Sequence, residues 1–151
     1  MIKIICVGKI KEKYFVDAIN EYKKRISKYT KLEIIELQDY DNPNKEIVLE
    51  KEKELILNNL NTKDYIITLE IEGNMLDSVE FANKLDKTFQ INSNITFIIG
   101  GSYGLSDSIK ELSNYKLSFS KMTFPHQLFR VILLEQIYRS YRILNNESYH
   151  K

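Results

Sequence analysis

Hydrophobic positions along the chain alternate between short unbroken runs and longer stretches at helical spacing. The short runs are rich in Ile, Val, Phe and Tyr, a composition typical of strands buried on both faces of a sheet. Five of them are predicted to be strands: Ile2–Val7, Leu32–Leu37, Tyr65–Ile71, Ile95–Ile99 and Tyr115–Phe119. Because helical segments separate successive strands, the sequence predicts an α/β fold with a mostly parallel sheet flanked by helices.

Helical spacing predicts five helices. Asp77 and Glu80 have the spacing of a capping box, which places a helix start after the Gly73-Asn74 turn. The first helix spans Tyr14–Tyr29, and the second has Pro43 in its first turn and ends at about Leu60. The third helix starts after Asp77, and a short fourth helix follows Ser106. The fifth helix extends from near Pro125 to about Leu144. No repeat, low-complexity segment or linker interrupts the chain, so we predict a single domain spanning residues 1–151.

The last predicted helix is apolar on nearly every side, from Leu128 to Leu144. A helix of this kind is buried all round, yet a terminal helix in a small domain has only one sheet face to cover. The leftover apolar surface favours a subunit interface, most simply in a two-fold homodimer. The alternative is a helix that is tucked wholly inside its own domain.

The composition, with 151 residues of which 43% are hydrophobic and 28% charged, suits one soluble domain with a full core. No apolar run approaches the roughly 18 residues that span a bilayer, and Met1–Val7 is too short for a signal peptide. Cys6 is the only cysteine and lies in an apolar run, so we interpret it as an inert core thiol. These features predict a cytoplasmic protein.

The net charge of +1 conceals an uneven distribution. Residues 1–31 and 91–151 carry net charges of +6 and +3, whereas residues 32–90 carry −8. A polyanion should therefore meet the two ends of the chain. Ordinary variation among surface helices would give the same pattern, so charge alone leaves both interpretations open.

Several common chemistries have no support in the sequence. The first strand ends in Val7-Gly8-Lys9-Ile10-Lys11, which is not the glycine fingerprint of a dinucleotide site, and there is no Walker A motif. His126 and His150 are the only histidines, and no cluster with metal-ligand spacing exists, so we predict no metal. Nucleophilic hydrolysis, phosphoryl transfer and metal-assisted hydrolysis are therefore disfavoured.

Two irregular loops remain as candidates for a binding site. Gly100–Gly104 follows a buried strand, and glycines there permit close approach of a ligand or positive φ, although a plain turn would use them too. Phe119–Phe124 carries two aromatics and a methionine and leads into Pro125, which suits a flat ligand such as adenine. Ligands of open α/β sheets bind at the carboxyl ends of strands, where such loops gather.

In its motifs the chain resembles the ribosomal RNA large subunit methyltransferase H family, the smallest branch of the SPOUT class of RNA methyltransferases. The resemblance covers the full length. The motifs that carry it are Val7-Gly8-Lys9, Thr68-Leu69-Glu70, Ile99–Gly104, Leu117–His126, Arg130-Val131, Glu135–Arg139 and Tyr149–Lys151.

The resemblance implies an α/β sheet whose carboxyl-terminal segment forms a deep trefoil knot, an exception to the unknotted rule. It implies a homodimer that binds S-adenosylmethionine in a bent shape. The substrate implied is N3 of a pseudouridine in large-subunit (23S) ribosomal RNA, methylated on assembled ribosomes. Matching the family's cofactor positions one by one gives Leu69, Gly100, Phe119, Ser120, Lys121, Met122, Thr123 and Phe124.

The resemblance also gives the carboxyl-terminal tail a catalytic role, with Tyr149 and His150 completing the active site of the partner subunit. Without it, Tyr149–Lys151 would be interpreted as a frayed, solvated end. We interpret His126 as a residue that stabilises its loop.

Three arginines of the last helix, Arg130, Arg139 and Arg142, either extend to solvent and pair with Glu135 or contact RNA phosphates. We favour RNA contact for Arg139 or Arg142. Basic residues near the amino terminus would add sequence-independent, salt-sensitive binding of RNA. They are Lys9, Lys11, Lys13, Lys23, Lys24 and Arg25.

Two other functions fit part of the pattern. A non-catalytic ribosome-associated RNA-binding module would keep the fold but would not bind S-adenosylmethionine. A nucleotide-binding enzyme could use Gly100–Gly104 to hold phosphate, but it would leave Phe119–Phe124 without a role.

Overall fold

Five parallel strands form one sheet in the computed structural model, which describes residues 1–151. Helices connect the strands, and the sheet order is β2-β1-β4-β3-β5. The elements are β1 (Ile2–Val7), α1 (Lys13–Ile26), β2 (Leu32–Leu37), α2 (Lys45–Asn59), β3 (Tyr65–Met75), α3 (Ser78–Ile91), β4 (Ile95–Ile99), α4 (Asp107–Glu111), β5 (Tyr115–Ser118) and α5 (His126–Leu144). The predicted α/β class is confirmed, and the strand order is consistent with the knot that the resemblance implies.

Alternation along the strands supplies a core on each side of the sheet, because successive side chains point to opposite faces. Ile4 and Phe97 pack in a cluster of 15 buried residues beneath α1, α3 and α5. Ile5 and Ile98 pack in a cluster of eight beneath α2 and α4. Each fully buried isoleucine contributes roughly 1.5–3 kcal/mol of apolar burial, so the unbroken hydrophobic runs are the main reason the sheet is internal.

Some predicted boundaries were wrong for local reasons. Pro43 lies before α2 rather than in its first turn, because the Asn44 side chain caps the helix by accepting from the backbone N–H of Glu46 at 2.9 Å. The Gly73-Asn74 turn is part of β3, which continues to Met75 through a register shift. The Asp77–Glu80 capping box is present as predicted.

Helix α5 packs against α1 and α3 and buries Leu133, Leu134 and Ile137. Its other apolar side chains are half-buried, and Leu128 is 37% exposed. Part of the helix surface is therefore left uncovered within one chain.

Cys6 is buried, and burial raises the pKa of its thiol to about 11, which supports an inert core role. None of the helices combines the length and apolar character that crossing a bilayer requires.

Candidate functional site

A cavity of about 590 Å³ opens at the carboxyl ends of β3, β4 and β5. Ile99 and Ser118 end β4 and β5, and Leu69 is the last residue of β3 that pairs with β5 before the register shift. The segments that follow these three residues supply most of the wall. This volume is within the range of small-molecule sites, and the position is the one that parallel sheets use for ligands. The two loops predicted from the sequence therefore lie side by side.

The loop after β4 is a tight turn that its glycines make possible. The Gly104 N–H donates to the Gly101 carbonyl at 3.0 Å, and Gly104 adopts a φ of +76°. A Cβ on Gly100 would overlap the Gly104 carbonyl group. Gly100 is therefore required for space and Gly104 for its backbone angle.

Behind this turn lies a buried carboxyl group that sequence reasoning missed. Glu52 on α2 is 4% exposed, and its Oε1 has no hydrogen-bond partner. A Cβ on Gly101 would lie 2.9 Å from Glu52 Oε2, so the carboxyl group packs directly against the turn. Desolvation first, and the nearby Asp39 carboxylate second, raise the pKa of Glu52 to about 7.

The loop after β5 is anchored by aromatic rings but leaves much of its backbone unpaired. Phe119 meets the ring of Phe129 on α5 edge to face, and Phe124 stacks on it, with ring centroids 5.1 and 6.2 Å away. The Met122 N–H donates to Ser120 Oγ at 2.9 Å, whereas the N–H groups of Thr123 and Phe124 have no partner within the chain. Free backbone donors beside aromatic walls suit a planar heterocycle such as adenine.

Seven of the eight predicted cofactor positions line this cavity. The eighth, Lys121, is exposed and is not part of the lining. The seven are Leu69, Gly100, Phe119, Ser120, Met122, Thr123 and Phe124.

The cavity also contains charged groups that the sequence analysis did not single out. Glu70 and Glu72 line it from β3, and Lys45 and Lys110 line it from α2 and α4. The signal available in the sequence was the acidic pair Glu70-Ile71-Glu72 directly after the buried run of β3. His126 lines the cavity too, and burial together with Arg130 lowers the pKa of its imidazole.

Arg130 is buried and is hydrogen-bonded within the chain. Both alternatives given for it, a solvent-exposed side chain paired with Glu135 and a contact with RNA phosphate, are therefore wrong for this residue. It is 3% exposed and donates to Glu36 at 2.7 Å and to the carbonyls of Val7 and Gly8. Glu36 also accepts from the Ile10 N–H at 2.9 Å. The arginine therefore joins α5 to the end of β1 and to β2.

Arg139 and Arg142 hold the carboxyl-terminal tail against α5 in this chain. Arg139 donates to Glu135 at 2.6 and 2.9 Å and to His150 Nδ1 at 3.2 Å. Arg142 donates to Glu147 and to the Ser148 carbonyl. Hydrogen bonding to Glu135 raises the pKa of Arg139, so its charge persists at any physiological pH.

Tyr149 and His150 do not line the cavity of their own chain. The Tyr149 ring meets Tyr138 edge-on at 4.9 Å, and its hydroxyl donates to Glu135 at 3.2 Å. Burial first, and then the Glu135 carboxylate, raise the pKa of Tyr149 to about 12. In this position Tyr149 is a hydrogen-bond donor and not a base.

Comparison with known proteins agrees with this geometry. A family model described as "Predicted SPOUT methyltransferase" matches residues 1–150, so the chain belongs to the SPOUT methyltransferases. A relative from Methanococcus maripaludis, provisionally named ribosomal RNA large subunit methyltransferase H, is 60% identical over 157 aligned positions that cover 99% of each chain. The ribosomal RNA large subunit methyltransferase H of Clostridium acetobutylicum is 52% identical with the same coverage.

Within the SPOUT class, the chain is thus a member of the ribosomal RNA large subunit methyltransferase H family. The fold has a distant match in the tRNA (m1G37) methyltransferase of Aquifex aeolicus, with a TM-score of 0.56 and 14% identity. That match covers 91% of this chain and 69% of the other. The methyl donor of SPOUT methyltransferases is S-adenosylmethionine, and the cavity's volume, apolar walls and free backbone donors fit it.

Proposed function

We propose that the chain methylates N3 of a pseudouridine in 23S ribosomal RNA, using S-adenosylmethionine, as a cytoplasmic homodimer acting on assembled ribosomes. The observation that carries the proposal is the convergence of seven of the eight expected cofactor positions on one cavity. Membership of the methyltransferase H family supports ribosomal RNA as the substrate.

Bound S-adenosylmethionine supplies a methyl group activated by a positively charged sulfur. The backbone N–H groups of Thr123 and Phe124 have no partner within the chain and are proposed to bind the adenine edge. Gly100 lets the turn at the cavity wall close against Gly104, and Leu69 and Phe119 supply apolar walls. Lys121 lies outside the lining, so only its backbone is proposed to take part.

The chain must also align the acceptor nitrogen with the methyl group and receive the N3 proton. Holding the acceptor nitrogen in line with the methyl carbon, roughly 3–3.5 Å away, would lower the barrier to transfer. We assign proton removal and acceptor positioning to His150 and Tyr149 of a second copy, because neither residue lines its own cavity. The homodimer is therefore part of the proposed mechanism.

Uncovered apolar surface near the cavity supports this dimer. Met75 and Met122 are 56% and 74% exposed, and Val79 at the start of α3 is 43% exposed. Met122 lines the cavity and Met75 pairs with the lining residue Ser118, so these two exposed side chains lie at the same end of the sheet, as is typical of an interface. Equilibrium ultracentrifugation should therefore give twice the mass of one 17.9 kDa chain.

Binding of RNA is proposed to use the basic ends of the chain. Lys9, Lys11 and Lys13 lie after β1 and at the start of α1, and they are exposed. Contact of RNA with Arg139 or Arg142 stays a prediction. In the free chain Arg139 is hydrogen-bonded to Glu135 and to His150 of the tail, and Arg142 is hydrogen-bonded to Glu147 and Ser148. A net charge of +1 implies weak affinity for an isolated hairpin.

The test is methyl transfer from isotopically labelled S-adenosylmethionine to assembled ribosomes, to isolated large subunits and to protein-free 23S RNA. We expect label only with assembled ribosomes, in one nucleotide that mass spectrometry identifies as N3-methylpseudouridine. Label in another base would contradict the assigned acceptor. Calorimetry separates the non-catalytic alternative, which predicts no S-adenosylmethionine binding at all.

A further inference from the structure

The end of β3 is shaped to bring two carboxylates to the cavity. The strand leaves register with β5 after Leu69 and regains it at Asn74. A Cβ on Gly73 would lie 2.8 Å from the Lys116 carbonyl carbon and oxygen, so only glycine allows this close packing. The displaced segment carries Glu70 and Glu72, and both line the cavity.

Glu70 is held in place but keeps one oxygen free. The Thr68 hydroxyl donates to Glu70 Oε2 at 2.6 Å, and the Glu70 side chain is 11% exposed. Glu70 Oε1 accepts no hydrogen bond from the chain, and its nearest cation is Lys110 Nζ at 4.0 Å. The carboxylate is thus fixed, largely removed from water and only partly neutralised.

The other ionisable groups of the cavity act more weakly or carry no charge near pH 7. Glu72 and Lys45 are exposed, so solvent screens them. The pKa of His126 is lowered, which favours its neutral form. Glu70 and its partner Lys110 therefore determine the field inside, and a cation in the ligand is the group that Glu70 would attract.

We propose that Glu70 is the specificity residue through which the cavity prefers the methyl donor, positively charged at sulfur, over the product, neutral at sulfur. The inference rests on the proposed function, because it concerns the ligand assigned to the same cavity. S-adenosylmethionine and S-adenosylhomocysteine share adenosine, ammonium and carboxylate groups and differ in the methyl group and the charge it brings. A fixed carboxylate near the sulfur lowers the free energy of the sulfonium in the donor and has no corresponding charge to attract in the product, whereas its effect on the shared ammonium group is common to both.

The experiment measures calorimetric dissociation constants for both ligands with wild type, Glu70→Gln, Glu72→Gln and Lys110→Gln. Glu70→Gln keeps a hydrogen-bond acceptor for Thr68. It should weaken the affinity for S-adenosylmethionine about tenfold and change the affinity for S-adenosylhomocysteine by less than about twofold. Glu72→Gln is the matched control, because it makes the same charge change at an exposed position. It should change the ratio of the two dissociation constants by less than about twofold. Lys110→Gln should shift the ratio the opposite way, towards S-adenosylmethionine.

Sinefungin, in which a carbon bearing a protonated amine replaces the methylsulfonium group, should respond to Glu70→Gln as the methyl donor does. Equal weakening of donor and product by Glu70→Gln would overturn the inference and leave the proposed function intact. An unchanged ratio in Glu70→Gln, with circular dichroism confirming the fold, would overturn it too. A wild-type protein that binds neither ligand would overturn the proposed function, and this inference with it.

Discussion

The cavity and the carboxyl-terminal tail are built in different ways. The cavity is formed by the ends of β4 and β5, by the displaced segment of β3, and by loops whose shape depends on Gly100, Gly104 and the packing of Phe119 on Phe129. The tail is held against the surface of α5 by hydrogen bonds from Arg139 and Arg142, and it does not line the cavity of its own chain. Under the proposed function, one chain would supply the cofactor site and its partner the tail residues, so we expect binding and catalysis to be separable by mutation.

Removing Tyr149–Lys151 tests this separation and should have the largest effect. The deletion leaves every cavity residue in place, so S-adenosylmethionine affinity should stay within about twofold, whereas methylation should fall at least roughly a hundredfold. Calorimetry and the ribosome methylation assay measure the two quantities. Normal turnover by the shortened protein would refute a catalytic role for the tail.

A glycine substitution in the cavity should produce the converse result. In Gly100→Ala the new methyl group overlaps the Gly104 carbonyl, so the turn must open, and we expect S-adenosylmethionine affinity to fall roughly tenfold or more. Gly104→Ala is the matched control, because a Cβ there meets nothing within 4 Å and only the positive φ opposes it, at a cost of about 1 kcal/mol. Equal affinities in the two variants would show that space at Gly100 is not limiting.

Glu52 behind the turn should affect stability more than catalysis. The pKa of its carboxyl group is raised from 4.5 to about 7 in the folded chain, so the folded state binds the proton more tightly than the unfolded state. Stability is therefore lost as pH rises from 4.5 to about 7 and stays low above that. Glu52→Gln should raise the free energy of unfolding at pH 8 by roughly 1–3 kcal/mol and leave it nearly unchanged at pH 4.5.

Urea titrations at the two pH values measure this difference. Asp39→Asn is the companion variant, since Asp39 adds the smaller, electrostatic part of the shift, and it should stabilise the protein less at pH 8. If Glu52→Gln raised the free energy of unfolding equally at both pH values, titration of Glu52 would not be the cause of the stability change.

The sequence predicted the strands and the two loops because both depend on local signals. Buried runs such as Ile95–Ile99 and breakers such as Gly100 can be recognised without knowledge of the fold. Glu52 and Arg130 could not be placed, because their burial depends on elements far apart in the chain: Arg130 pairs with Glu36 across 94 positions. Glu70 became conspicuous only when the register shift brought it to the cavity.

Arg139 offers the finest test of how the tail is held. Its guanidinium group bonds to Glu135 and His150 and lies 4.7 Å from the Tyr149 ring centroid. Arg139→Gln should free the tail without removing it, so methylation should fall only about fivefold, with unchanged S-adenosylmethionine affinity. If Arg139 instead contacts an RNA phosphate, Arg139→Gln should reduce the slope of log affinity against log salt concentration for ribosome binding by about one unit. An unchanged slope with reduced turnover would show that Arg139 acts by holding the tail. Catalysis would then depend on a segment that lies outside the cavity of its own chain.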